Sequence, residues 1–315
     1  MKRALVPLIA AVGVLTLTLA GCSSTNGHDG IRIVTSTNVW AAVATAVAGD
    51  KASVEPVFTA NTDPHEFEPS AADTADIIDA DIIVINGGGY DAYLEHTADA
   101  GDSTPAVVNA YALLGAPEHD GDNAGHGEHG DEHTHEHGTT NEHVFYDLPI
   151  VAQVATKIAD ALAAKDEANA DFYRANAAAF GEQIQSLRER LATIARTDRG
   201  AKVAQSEPLA GYLLAEAGLV DASPAGFTQS VEEGQSPSIA DRAAMDDLLR
   251  NRTVRTFIYN TQSVDSVTVA TRDLAQTSGV PVVQFTETLP DGVRSYIDWQ
   301  SGQIDALADA LGRSR

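Results

Sequence analysis

Seven short β-rich runs, alternating with stretches of helical composition, constrain this chain more than any other feature. IRIVTST (31–37), SVEPVF (53–58), DIIVING (81–87) and AVVNA (106–110) lie in the first half. AKVAQS (201–206), RTFIYN (255–260) and PVVQFT (281–286) lie in the second, with a weaker strand expected near 220–226. Most are near-continuous apolar runs, the pattern of strands covered on both faces in a parallel sheet. Helical composition occupies 38–49, 70–79 and 90–100, then 208–218, 238–250, 265–279 and 296–312. Strands alternating with such helices predict βαβ units.

Between the halves, Phe172, Asn176, Phe180, Ile184, Leu187, Leu191 and Ile194 recur every three or four positions, the stripe of one amphipathic helix. Lys165, Asp166 and Glu167 separate it from a shorter helix at 149–163. At 1.5 Å per residue the long helix extends roughly 43 Å, enough for a strut across two lobes. The expected class is α/β: two lobes, each with a mostly parallel sheet flanked by helices, joined by one long backbone helix. The N-terminal lobe is placed at 31–165, the linking helix at 166–197 and the C-terminal lobe at 198–315.

Within the first lobe, a histidine-rich loop spans 115–142. Six of the ten histidines (His119, His126, His129, His133, His135 and His137) sit there among acids and glycines. So little hydrocarbon cannot offset ordering entropy, so a mobile surface loop is expected. Dense imidazole in such a run indicates metal capture. Cys22 is the only cysteine, which leaves nitrogen and oxygen to hold any metal. The formal net charge of −25 opposes nucleic acid as a partner and draws cations toward the surface.

Ligand-type residues occur at four places with suitable settings. His65 lies in NTDPHEFEPS, beyond the second strand. His143 lies in NEHVFYD, just before a helix. Glu207 follows AKVAQS, and Glu287 follows PVVQFT. In parallel α/β sheets, ligands gather outside the carboxyl ends of strands, where Glu207, Glu287 and His65 all fall. Asn260 and Gln262 in YNTQ end another strand and are expected to support the ligands from behind.

The residues TDPHEFEPSAAD, DIIVINGGGYDAYLE, NEHVFYD, EGQSPS and FTETL, in that order, resemble the zinc and manganese solute-binding lipoproteins of bacterial ABC importers, the ZnuA/TroA-like family. The resemblance covers 31–312. It implies one divalent cation buried between two lobes, held by His65, His143, Glu207 and Glu287, for delivery to an importer permease. Two departures raise the oxygen share of the site. Glu207 stands where many zinc-specific members carry histidine, and Glu287 stands where aspartate is usual. The histidine-rich loop argues for Zn2+, while the added carboxylates suit Mn2+ or Fe2+. Lys2 and Arg3, an apolar run and Leu19-Ala20-Gly21-Cys22 resemble a lipoprotein signal peptide (1–22), implying acylation of Cys22, a short tether (23–30) and an anchor on the extracytoplasmic membrane face. A monomeric, non-catalytic receptor is expected. A zinc hydrolase is the competing class, opposed by the lack of HExxH and of an open ligand position. A metal-buffering surface adhesin is the other.

Overall fold

The structure is a computed structural model that describes residues 30–59, 67–98, 104–115 and 141–313. His65, Cys22 and the six histidines from His119 to His137 lie outside the described residues, as do residues 1–29, where a signal peptide and tether are expected. The strands are β1 (Ile31–Thr37), β2 (Ala52–Phe58), β3 (Ile82–Ile85) and β4 (Ala106–Asn109), then β5 (Lys202–Gln205), β6 (Val220–Asp221), β7 (Phe257–Asn260) and β8 (Val282–Phe285). They form two four-stranded sheets of order β2-β1-β3-β4 and β6-β5-β7-β8, with every described pairing parallel. The two orders are the same topology repeated. In each, the connection runs outward to the second strand and then recrosses to the third. A crevice therefore opens at the carboxyl ends of β1 and β3 in one lobe, and of β5 and β7 in the other.

Helices α1 (Asn38–Ala48), α2 (Ala71–Ile78) and α3 (Ala92–Ala98) belong to the first lobe, together with α4 (Leu148–Lys165). The linking helix α5 runs Ala170–Asp198. The second lobe carries α6 (Gly211–Glu216), α7 (Ala225–Glu232), α8 (Ile239–Arg250), α9 (Ser266–Ser278) and α10 (Tyr296–Arg313). Among the described residues, no helix is long and apolar enough to cross a membrane. Helix α7 is not anticipated by the sequence: strand pairing stops at Asp221, and Pro224 starts a helix where a strand was expected. The start of the long stripe also differs. Tyr173 and Ala177 are buried, while Phe172 is half exposed, packs beside Gly49 and sits under Lys51. Asn176 is spent on the α1 end, donating to the Val47 carbonyl at 3.0 Å.

Helix α5 packs on α1 and α4 of one lobe and on α6 and α10 of the other. The core between the lobes is aromatic and continuous, holding Phe145, Tyr146, Phe180, Phe285, Tyr296 and Trp299. Hydroxyls fix its register. The Tyr146 hydroxyl lies 2.7 Å from both the Thr286 carbonyl and Gln303 Oε1 and shares its one proton between them, and Tyr296 donates to the Phe145 carbonyl at 2.7 Å. Asn38 closes a reciprocal pair with the Leu289 backbone at 3.1 and 2.9 Å. Buried aromatic area and satisfied polar tips together resist sliding of one lobe over the other.

Candidate metal centre

The second-lobe crevice places its polar residues where the strands end. Glu207 lies two residues beyond β5, Asn260 is the last residue of β7, and Glu287 lies two beyond β8. Glu207, Glu287 and Asn260 are 2%, 1% and 1% exposed, so water satisfies little of their hydrogen-bonding capacity. Asn260 Nδ2 donates to Glu207 Oε2 at 2.5 Å and to Glu287 Oε1 at 2.6 Å. One amide group thus bridges two carboxylates. Its own oxygen accepts the Gln262 N–H at 3.0 Å, which fixes the orientation of the amide. Gln262 in turn accepts the N–H groups of Glu287 and Thr288 at 2.7 and 3.0 Å, holding the turn that presents Glu287.

Opposite these carboxylates stands the segment 141–147 of the first lobe. Tyr212 donates to the Asn141 carbonyl and Asn141 Nδ2 donates to the Pro208 carbonyl, both at 2.5 Å. Asn86 Nδ2 donates to the Glu142 carbonyl at 2.8 Å. A 3-10 turn at Val144–Tyr146 buries all three of its side chains, and Asp147 caps α4 through the Ile150 N–H at 3.1 Å. His143 is therefore carried on a rigid piece of backbone and is wholly buried.

Asn141 Oδ1 accepts both the His143 backbone N–H at 2.9 Å and ring Nδ1 at 2.8 Å. Because the Asn141 amide nitrogen is committed to Pro208, its oxygen is the acceptor, and the proton of neutral imidazole sits on Nδ1. Nε2 then presents its lone pair, the tautomer a metal ligand requires. Nε2 lies 3.3 Å from Glu232 Oε1 and 3.8 Å from Glu287 Oε2. Tyr90 donates to Glu287 Oε2 at 3.0 Å. Burial, and then the Glu287 charge, push its phenol well above the usual range, so it remains a donor. The turn before it is tight: Gly87 and Gly88 hold φ of +77° and +72°, and the Asp91 carboxylate takes the N–H groups of Asn86 and Gly87.

Among the residues expected from sequence, His143 lies 3.8 Å from Glu287, Asn260 ties Glu287 to Glu207, and Gln262 is bonded to Asn260 and Glu287, while His65 lies outside the described residues. Phe67, just beyond it, packs edge-on against Phe58 and Tyr93 with ring centroids 5.1 and 5.3 Å away. Three contributors were not anticipated. Tyr90 and Asn141 stand beside motifs already singled out, in GGGY and NEH. Glu232 ends α7, and its only sequence signal is an acid at the carboxyl end of a helix, the electrostatically unfavourable end. Among the described residues, no three His, Cys, Asp or Glu side chains are gathered closely enough to chelate one ion as they stand. Asn260 and Tyr90 occupy the carboxylate oxygens that an ion would take. The Glu232 and Glu287 carboxylates lie 3.3 and 3.8 Å from His143 Nε2, and Asn260 ties Glu287 to Glu207, a donor chemistry that suits a divalent cation.

The family model described as zinc-uptake complex component A, periplasmic, matches residues 33–310. The zinc-binding lipoprotein AdcA of Streptococcus pneumoniae (strain ATCC BAA-255 / R6) is 28% identical over 303 residues, covering 92% of this chain. This chain spans only 58% of the length of that relative. The manganese-binding lipoprotein MntA of Halalkalibacterium halodurans is 24% identical over 314 residues, covering 95% of this chain and 96% of MntA. The crystal structure of ZnuA has the same fold, with a TM-score of 0.71 at 22% identity over 91% of this chain and 99% of that one.

Proposed function

The chain belongs to the family of the zinc-uptake complex component A, and on that premise we propose that it is a receptor. It captures one divalent transition metal between its lobes and delivers the ion to the permease of an ABC importer. The observation that supports this reading is the chain of contacts that links His143 to Glu287 and, through Asn260, to Glu207, from distant parts of the sequence. His65 is the proposed fourth ligand. Asn260 and Gln262 orient the carboxylates, and Cys22 is the proposed point of lipid attachment on the extracytoplasmic face.

Zinc is the proposed cargo. The stretch from His119 to His137 supports it, as a collecting arm rich in imidazole. Manganese is the second reading, favoured by the oxygen-rich donor set and by the likeness to a manganese-binding lipoprotein. Catalysis is not part of the proposal, since four protein ligands leave no position for an activated water.

Release involves small shifts of the ligand-bearing loops, because the hydroxyl and amide bonds between lobes, and α5 behind them, oppose a wide rotation. Crystals with and without metal should superpose both lobes together, and a large rotation would refute this.

Melting the chelator-stripped protein with Zn2+, Mn2+ or Fe2+ tests the site. An ion at 1,000 times its dissociation constant stabilises the fold by about 4 kcal/mol. His65→Ala, His143→Ala and Glu207→Ala should abolish that gain, and deletion of 119–137 should preserve it. A protein stabilised by none of the three ions would sink the proposal.

A further inference from the structure

We propose, on the receptor reading above, that the rim formed by the starts of α8 and α9 is the surface on which an extracytoplasmic loop of the importer permease docks. Ile239 and Val264 are 89% and 58% exposed, the two most exposed large apolar side chains among the described residues. Single exposed apolar residues are ordinary, but these two share one place in the fold.

Topology brings them together. Helix α8 leads into β7 and α9 leads out of it, and the strands they connect are parallel, so both helices begin at the carboxyl edge of the sheet. The two helices pack side by side. Their far ends meet: a side-chain carbon on Gly279, which caps α9, would lie 3.6 Å from the guanidinium carbon of Arg252, two residues beyond α8. Helices of 12 and 13 residues that end together also start together. Each start is fixed by a side-chain cap. Ser238 Oγ accepts the Asp241 N–H at 3.1 Å, and Asp265 Oδ1 accepts the Thr268 N–H at 2.6 Å. Ile239 directly follows one cap and Val264 directly precedes the other, so both stand on ordered backbone.

The rim borders the site. Val264 is four residues past Asn260, within about 14 Å of it even along an extended chain. Gln262, between them, accepts the Glu287 and Thr288 N–H groups. A partner seated on Val264 therefore bears on the loop that holds the Glu287 turn.

Charge selects the partner. The segments 232–242 and 261–266 carry four acids and one base, Arg242. Glu233 and Asp265 are exposed among them. A second copy of the chain, with a net charge of −25, would bring the same acidic rim against this one. The occupant that fits is a loop presenting an apolar residue between Lys or Arg side chains, an apolar centre within a charged ring.

The test places full-length protein in cells that lack the chromosomal copy. It compares wild type, the double variant Ile239→Ser/Val264→Ser, Glu233→Lys, and Val107→Ser as an exposed apolar control on β4. Uptake of radiolabelled Zn2+ and Mn2+ at limiting concentration should fall about tenfold in the double variant, the scale on which truncating apolar anchors weakens an interface. Glu233→Lys should also lower uptake, and Val107→Ser should match wild type. The purified variants should keep wild-type melting temperatures and metal affinities. A photoreactive phenylalanine analogue at Val264 should cross-link to a polytopic membrane subunit of an ABC importer. Unchanged uptake in the double variant, a matching loss of metal affinity, or cross-linking only to a second copy would overturn the docking surface while leaving the receptor reading intact. A purified wild type that binds neither ion would sink both.

Discussion

Asn260 offers the sharpest test of how the protein holds its carboxylates apart from any ion. Its amide nitrogen donates to Glu207 at 2.5 Å and to Glu287 at 2.6 Å, with all three side chains almost fully buried. Hydrogen bonds to charged groups contribute about 1.5–3 kcal/mol each, and a buried acceptor left unsatisfied costs its desolvation as well. Asn260→Ala removes both bonds and the acceptor for the Gln262 N–H. We expect the metal-free protein to lose about 3–5 kcal/mol, the sum of two such bonds discounted for relaxation. On the proposed receptor reading, a bound divalent ion would supply positive charge to the same two carboxylates. The loss in the loaded protein should therefore be smaller by at least one bond, about 1.5–3 kcal/mol. The variant should thus gain more stability from metal than the wild type gains. Urea unfolding of chelated and metal-saturated samples, followed by circular dichroism, measures both quantities. A metal-free loss below about 1 kcal/mol, or equal losses in the two states, would refute the idea that one amide stands in for the cation.

Three further outcomes follow from single contacts. Tyr146→Phe removes a buried hydroxyl that bridges Thr286 and Gln303, so melting should report a loss of about 1–3 kcal/mol. Gly234→Ala meets no neighbouring atom but places alanine at φ +63°, so the cost is conformational, about 1–2 kcal/mol by chemical denaturation. Asp147 is held above the usual carboxylate range, first by burial. Its folded form therefore binds the proton more tightly than the unfolded chain does. This contribution to stability is full at low pH and is lost as pH rises from the unfolded value through the raised folded one. Asp147→Asn keeps the helix cap and should flatten that part of the stability–pH curve, whereas Asp147→Ala should also lose about 1 kcal/mol of capping.

The parallel sheets and most helices were legible in the chain because their signals are local. Apolar runs at β1, β3, β5, β7 and β8 read as strands whatever surrounds them, and each forms within a residue or two of its expected bounds. Helix α7 was not legible. A weak strand was expected near 220–226, but pairing ends at Asp221, and the helix that follows packs Phe227 and Val231 into the second-lobe core with Met245 and Leu249. The stripe of α5 was read correctly from Phe180 onward but misassigned at its start, where the α1 end draws in Phe172 and Asn176.

Residue type and spacing by themselves established an α/β chain in two halves, a long connecting helix, and a set of imidazole and carboxylate groups just beyond strand ends. Those properties follow from backbone periodicity, which each segment carries alone. Only the tertiary structure decided that Asn260 bridges Glu207 and Glu287, that Asn141 accepts from His143 Nδ1, and that Glu232 Oε1 lies 3.3 Å from its Nε2. These are contacts between residues tens or hundreds of positions apart. Their energies depend on which side chains share a buried space, and that depends on how two sheets and an aromatic interface pack.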